Sequence, residues 1–190
     1  VGLRGGSGAA TADEVYIQVN GTLTGYFYKN SGLGGTGWRK TSAPTGASEP
    51  NAPIDPLTGV YLIRKAGGSS VNLDVTGLTV TGRQKPTVVA GFNILSNPFT
   101  LPTTLGKSNL NNFITGGTGT GTADLVYLEQ GGVLTGYFYK NGGLGGVGWR
   151  RTDQPTGANQ NDVVLTPGKA ILFREQAGTA SFTLQEPFTD

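Results

Sequence analysis

Leu23-Thr24-Gly25-Tyr26-Phe27-Tyr28-Lys29-Asn30 recurs, residue for residue, as Leu134-Thr135-Gly136-Tyr137-Phe138-Tyr139-Lys140-Asn141. Outward from this octapeptide, Thr11 to Ala47 aligns with Thr122 to Ala158 at a constant offset of 111, with 26 of 37 positions identical. Past an apparent one-residue length change, Val60-Tyr61-Leu62-Ile63-Arg64 aligns with Ala170-Ile171-Leu172-Phe173-Arg174. The offset of 111 then returns, with Val71-Asn72-Leu73 against Phe182-Thr183-Leu184. Such self-similarity means one architecture built twice. It predicts unit one over residues 1–79, a connector over 80–111 and unit two over 112–190. The connector's Pro86-Thr87-Val88-Val89-Ala90-Gly91-Phe92-Asn93-Ile94-Leu95 is too apolar for a solvated linker. It reads as an ordered strand plus loop, packed on one or both units.

Within each unit the pattern is that of strands. Val15, Ile17, Val19, Leu23 and Phe27 take odd numbers, a period of two that puts them on one face. A two-residue Asn20-Gly21 turn would pair Val19 with Thr22 and mix the faces. A three-residue loop, Asn20-Gly21-Thr22, pairs Val19 with Leu23 and keeps the apolar face whole. The same reasoning makes Val126, Leu128, Leu134 and Phe138 core in unit two. Further strands are predicted at 36–41, 59–65, 69–75 and 86–95 with equivalents in unit two, and one short helical turn within 105–113. The expectation is an all-β protein of two tandem, similar sandwich-like or Greek-key-like units joined by an ordered connector.

The second face of the predicted hairpin carries Tyr16, Tyr26 and Tyr28, repeated as Tyr127, Tyr137 and Tyr139. Tyrosine joins a large ring to a hydrogen-bonding tip, which suits half-wet surfaces. Trp38-Arg39 and Trp149-Arg150 follow at matched positions. Three readings compete for these ten residues. One is a second face covered by the unit's own loops, with each arginine stacked on a ring or paired to Asp13 or Asp124. The others are a protein interface and a polysaccharide-stacking platform.

Composition removes whole classes of chemistry. Histidine, cysteine and methionine are absent from the 190 residues. His-based triads, thiol nucleophiles, Cys/His zinc sites and disulfides therefore fall away. Carboxylates are sparse, and nothing in the sequence identifies the spaced pair a glycosidase needs. No catalytic residue, metal site or cofactor is expected, and the chain does not read as an enzyme. Glycine at 33 positions and threonine at 25 favour turns and strands. The formal charge of +2 with no basic run beyond two residues argues against nucleic acid. No apolar stretch reaches the ~20 residues of a membrane span. The opening at Val1, with neither methionine nor a signal-type stretch, reads as a processed or trimmed chain.

Gly32-Leu33-Gly34-Gly35-Thr36-Gly37 and Gly143-Leu144-Gly145-Gly146-Val147-Gly148 match G-x-G-x-x-G. No helix-forming pattern follows either, so a glycine-rich strand connection fits better than a dinucleotide site. Tyr26-Phe27-Tyr28, Gly37-Trp38-Arg39 and Leu62-Ile63-Arg64 in order resemble a group of secreted, repeat-containing bacterial β-proteins. These carry a Tyr-x-Tyr, Gly-x-Trp-Arg, Pro-Gly, Ile-x-Arg pattern. Unit two fits it best, with Tyr137-Phe138-Tyr139, Gly148-Trp149-Arg150, Pro167-Gly168 and Ile171 to Arg174, whereas unit one has Leu57-Thr58-Gly59 in place of Pro-Gly. The resemblance implies export and a β-rich fold and transfers no catalytic residue. Together these readings point to an extracellular or cell-surface bacterial structural protein that assembles with itself into a fibre or layer. A carbohydrate-binding or adhesin module is the alternative. The assembly reading supposes that the connector covers unit one and leaves unit two with an open edge.

Overall fold

The computed structural model describes residues 2–19, 21–55, 57–67 and 86–181. Among them the fold is all-β, with one 3-10 turn at Leu110–Asn112, inside the predicted 105–113 window. The strand expected at 69–75 and the match of Val71-Asn72-Leu73 to 182–184 lie outside the described residues. Two compact units form: one comprises 1–55 and 60–78, the other 56–59 and 79–190. The connector segment thus belongs with unit two.

Unit one holds β1 (Glu14–Val19), β2 (Thr22–Lys29), β3 (Gly37–Lys40) and β4 (Tyr61–Ile63) in one antiparallel sheet of order β3-β2-β1-β4. Three hairpin-linked strands and a fourth returning beside the first give the Greek-key order. In unit two, β5 (Thr87–Ser96), β6 (Thr103–Thr104), β7 (Leu125–Gln130), β8 (Val133–Lys140), β9 (Gly148–Arg151), β10 (Val164–Leu165) and β11 (Ala170–Ser181) make two sheets. The larger has the order β5-β11-β7-β8-β9, and β10 pairs with β6. Thus β9-β8-β7-β11 repeats the unit-one arrangement, and the connector adds β5 at its edge.

The hairpin turn is the two-residue one, correcting the three-residue expectation. Val19 pairs with Thr22 and Gln18 with Leu23, and in unit two Gln130 pairs with Val133. Gly131 and Gly132 have φ of 61° and 84°, the double positive φ of a type I′ turn whose twist suits a tight hairpin. The faces shift accordingly. Val15, Ile17, Tyr26, Tyr28 and Trp38 share one face, and Tyr16, Leu23, Phe27 and Arg39 share the other. Phe27 and Phe138 are fully buried, but on the face opposite Val15 and Val126. Leu134, expected in the core, is exposed. Tyr16 lies across from Gly25, where an added Cβ would come within 2.7 Å of the tyrosine ring, so glycine makes room for that ring.

The repeat register also changes. Val15 pairs with Leu62 and Val126 with Phe173, so the offset stays at 111 through β4 and β11. The one-residue length change is absent there, and Arg64 corresponds to Glu175 rather than Arg174.

Candidate interface on the open sheet face of unit one

Two buried devices repeat in both units. The first secures the glycine loop between the second and third strands. Arg39 is buried and donates from Nη2 to the Gly34 carbonyl at 2.5 Å and from Nη1 to the Trp38 carbonyl at 3.0 Å. Arg150 does the same for the carbonyls of Gly145 and Trp149. Lys29 and Lys140, also buried, donate to the carbonyls of Pro44 and Pro155. The glycine motifs are therefore strand connections held by cations, and the arginines bind these carbonyls rather than Asp13 or Asp124.

The second device is a buried aspartate that joins the start of each unit to its returning strand. Asp13 accepts the backbone N–H of Arg4 at 2.8 Å and of Lys65 at 2.9 Å, and pairs with the Arg64 guanidinium at 2.9 Å. Burial acts to raise its pKa, but the two N–H groups and the Arg64 charge outweigh it and leave the carboxyl below its usual value. Asp124 likewise accepts from Thr115 and Gln176 at 2.6 and 2.8 Å. Its side-chain neighbour is different: where unit one has Arg64, unit two has Glu175, also buried and close enough for the Asp124 charge to act on it. Burial, and then the Asp124 charge, push the Glu175 carboxyl up. Only the structural register, with Arg64 opposite Glu175, brings this difference to light.

The ten aromatic and arginine candidates do not form one surface. Tyr26, Tyr28 and Trp38 lie together, the Tyr28 and Trp38 rings edge to face at 5.8 Å, and Tyr139 and Trp149 repeat this at 5.7 Å. Tyr16 sits on the opposite face and donates to Glu14 at 2.7 Å. Tyr127 occupies the equivalent place, its ring 6.4 Å from Phe92. Tyr137, Trp149 and Arg150 are buried, which removes them from any exposed platform.

The two units differ most on the tryptophan face. In unit two, Val126, Leu128, Tyr137 and Trp149 form a buried cluster with Phe99, Leu105, Leu110 and Ile114 of the covering segment and with Leu165. The cover is fastened by backbone bonds. Leu105 donates to the Val163 carbonyl at 2.9 Å, and Gly106 to that of Asn161 at 2.8 Å. The buried Asn97 side chain donates to the carbonyls of Leu101 and Leu165.

In unit one the equivalent Val15, Ile17, Tyr26 and Trp38 line a cavity of about 240 Å³ with Pro50 and Ile54. Ile54 is 57% exposed, against 4% for its counterpart Leu165. Among the described residues, no strand pairs with Pro53-Ile54, and no backbone N–H donates to the carbonyls of Pro50 or Ala52. These loop positions were not evident from sequence, because only their unit-two counterparts reveal what they lack. Among the described residues, no three His, Cys, Asp or Glu side chains converge as a metal site. No helix there is long and apolar enough to cross a membrane. Comparison with protein-family models, with curated proteins and with solved structures finds no match.

Proposed function

We propose that this chain is an extracellular structural protein, a self-assembling subunit of a fibre or surface layer. One observation carries the reading: two copies of one sheet are completed unequally. In unit two, β11 lies between β7 and β5, whereas among the described residues the outer edge of β4 in unit one pairs with nothing. An open edge pairs with another chain unless it is blocked. The β4 edge of one molecule meeting the β5 edge of the next is a head-to-tail contact, and such contacts propagate when rotation does not close them. Low charge suits close β-packing, and the absence of cysteine and methionine leaves little to oxidise outside a cell.

Sedimentation of the purified chain over a wide concentration range, with electron microscopy of the same samples, tests the reading. Assembly that grows with concentration is expected. Ile63→Lys, which places a charge at an exposed position of the β4 edge, should reduce assembly without unfolding the chain. A monomer at high concentration with no filaments refutes the proposal.

A further inference from the structure

We propose that the cleft of unit one is a receptor for a connector-like segment: an extended Thr-Thr-Leu stretch followed by apolar residues spaced like Leu105, Leu110 and Ile114. The donor is a further repeat of this kind. The proposal goes beyond self-assembly, sharing with it only the unequal completion of the two units.

Unit two shows what such an occupant looks like. Its segment Asn97–Ile114 adds β6 to β10, donates from Leu105 and Gly106 to two loop carbonyls, and buries leucines among Trp149 and its neighbours. Unit one repeats the receiving half. Ala52 and Pro50 stand where Val163 and Asn161 accept those bonds, Pro53-Ile54 stands where β10 forms, and Trp38 stands where Trp149 is covered. The cavity of about 240 Å³ exceeds the ~150 Å³ apolar void that takes a benzene-sized group. Glu49 replaces Gln160 on its rim, where it is already paired with Lys40 at 3.1 Å, so charge does not select the occupant.

Stoichiometry narrows the donor. The described residues hold two such faces and one connector, and that connector already covers unit two. Exchange between identical molecules uncovers one face for every face it covers, so no apolar surface is gained. An additional connector-like segment closes the cleft at no such cost. Recognition is then strand addition for affinity, with side-chain pockets for specificity.

The test uses the full chain and a synthetic Asn97–Ile114 peptide. In a Trp149→Phe variant Trp38 is the sole tryptophan, and its emission should shift to the blue and saturate at one peptide per chain. Hydrogen exchange on the unmodified chain should show new protection at residues 50–54, so the outcome does not hang on that variant folding. Ile54→Asp, or Leu105→Asp in the peptide, should weaken binding more than about tenfold, or 1.4 kcal/mol. No shift together with no protection at 50–54 overturns the proposal. Protection confined to residues 161–165, which means exchange with the resident connector, overturns it as well. So does a 50–54 stretch already protected without peptide, because the chain itself then fills the cleft. Sedimentation of the same samples reads assembly separately: a peptide-binding chain that stays monomeric keeps this proposal and removes the self-assembly one.

Discussion

Leu165 and Ile54 occupy the same position in the two units, and truncating each to alanine measures how differently those units are closed. Leu165 is 4% exposed and belongs to the cluster around Trp149, whereas Ile54 is 57% exposed at an open cleft. Full burial of either side chain is worth about 2 kcal/mol. Leu165 realises nearly all of that, and its removal also leaves a closed void, so Leu165→Ala should cost about 3 kcal/mol. Ile54 realises less than half of the transfer term and leaves no closed void, so Ile54→Ala should cost about 1 kcal/mol or less. Two units need not unfold as one. The assay is therefore a urea series read by hydrogen exchange, with peptides from each unit followed separately. Equal losses at the two positions, or a loss above about 2 kcal/mol for Ile54→Ala, would show that the unit-one face is already covered and refute the reasoning.

Arg150→Met should cost about 2–3 kcal/mol, because it leaves the carbonyls of Gly145 and Trp149 without their charged donor. A thermal melt reads this, and Arg150→Lys should not restore stability, since lysine lacks the two-pronged geometry. Two buried carboxyls should also contribute to pH dependence in opposite directions. The Glu175 carboxyl lies above its ordinary 4.5 in the folded state, so its contribution to unit two is present below that value and is lost as pH rises through the raised one. Asp13 lies below its ordinary 3.8, so its contribution to unit one is present above that value and is lost as pH falls through the lowered one. Hydrogen exchange across a pH series checks both, and Glu175→Gln should remove the rise-of-pH loss in unit two alone.

The repeat, the all-β class, the strands at 37–40 and 87–96 and the short turn near 110 were legible because identity and period-two alternation are local signals. The turn length was not. Alternation identifies a core only when one face is dry, and here Tyr26 and Phe27, neighbours on opposite faces, are both buried. The Asn-Gly dipeptide pointed to the two-residue turn, and the apolar pattern outweighed it. The alignment slipped for a related reason, because Ile63-Arg64 resembles Phe173-Arg174 in letters whereas backbone pairing sets Arg64 against Glu175. As for the connector, its apolarity showed that it was packed, but not on which of two near-identical sheets. That depended on differences in the facing loops, Pro50 to Ile54 against Asn161 to Leu165, which alternation does not register.

The addition of β5 beside β11 has a consequence for the order in which the molecule forms. Ser96 meets Ala170 and Thr87 meets Ser181, so these partners lie roughly 75 to 95 residues apart, a large contact order for one sheet edge. The β1–β2 hairpin closes across two residues and forms on the microsecond scale of isolated hairpins. Leu105, Leu110 and Ile114 follow β5 but precede β7, β8, β9 and β11, the other strands of the sheet they cover. During synthesis they emerge before those strands and must keep clear of wrong partners until the last one arrives. Refolding should therefore show a fast phase from the local hairpins and a slower one as β5 docks on β11, and the slower phase sets how long the connector's leucines remain in water.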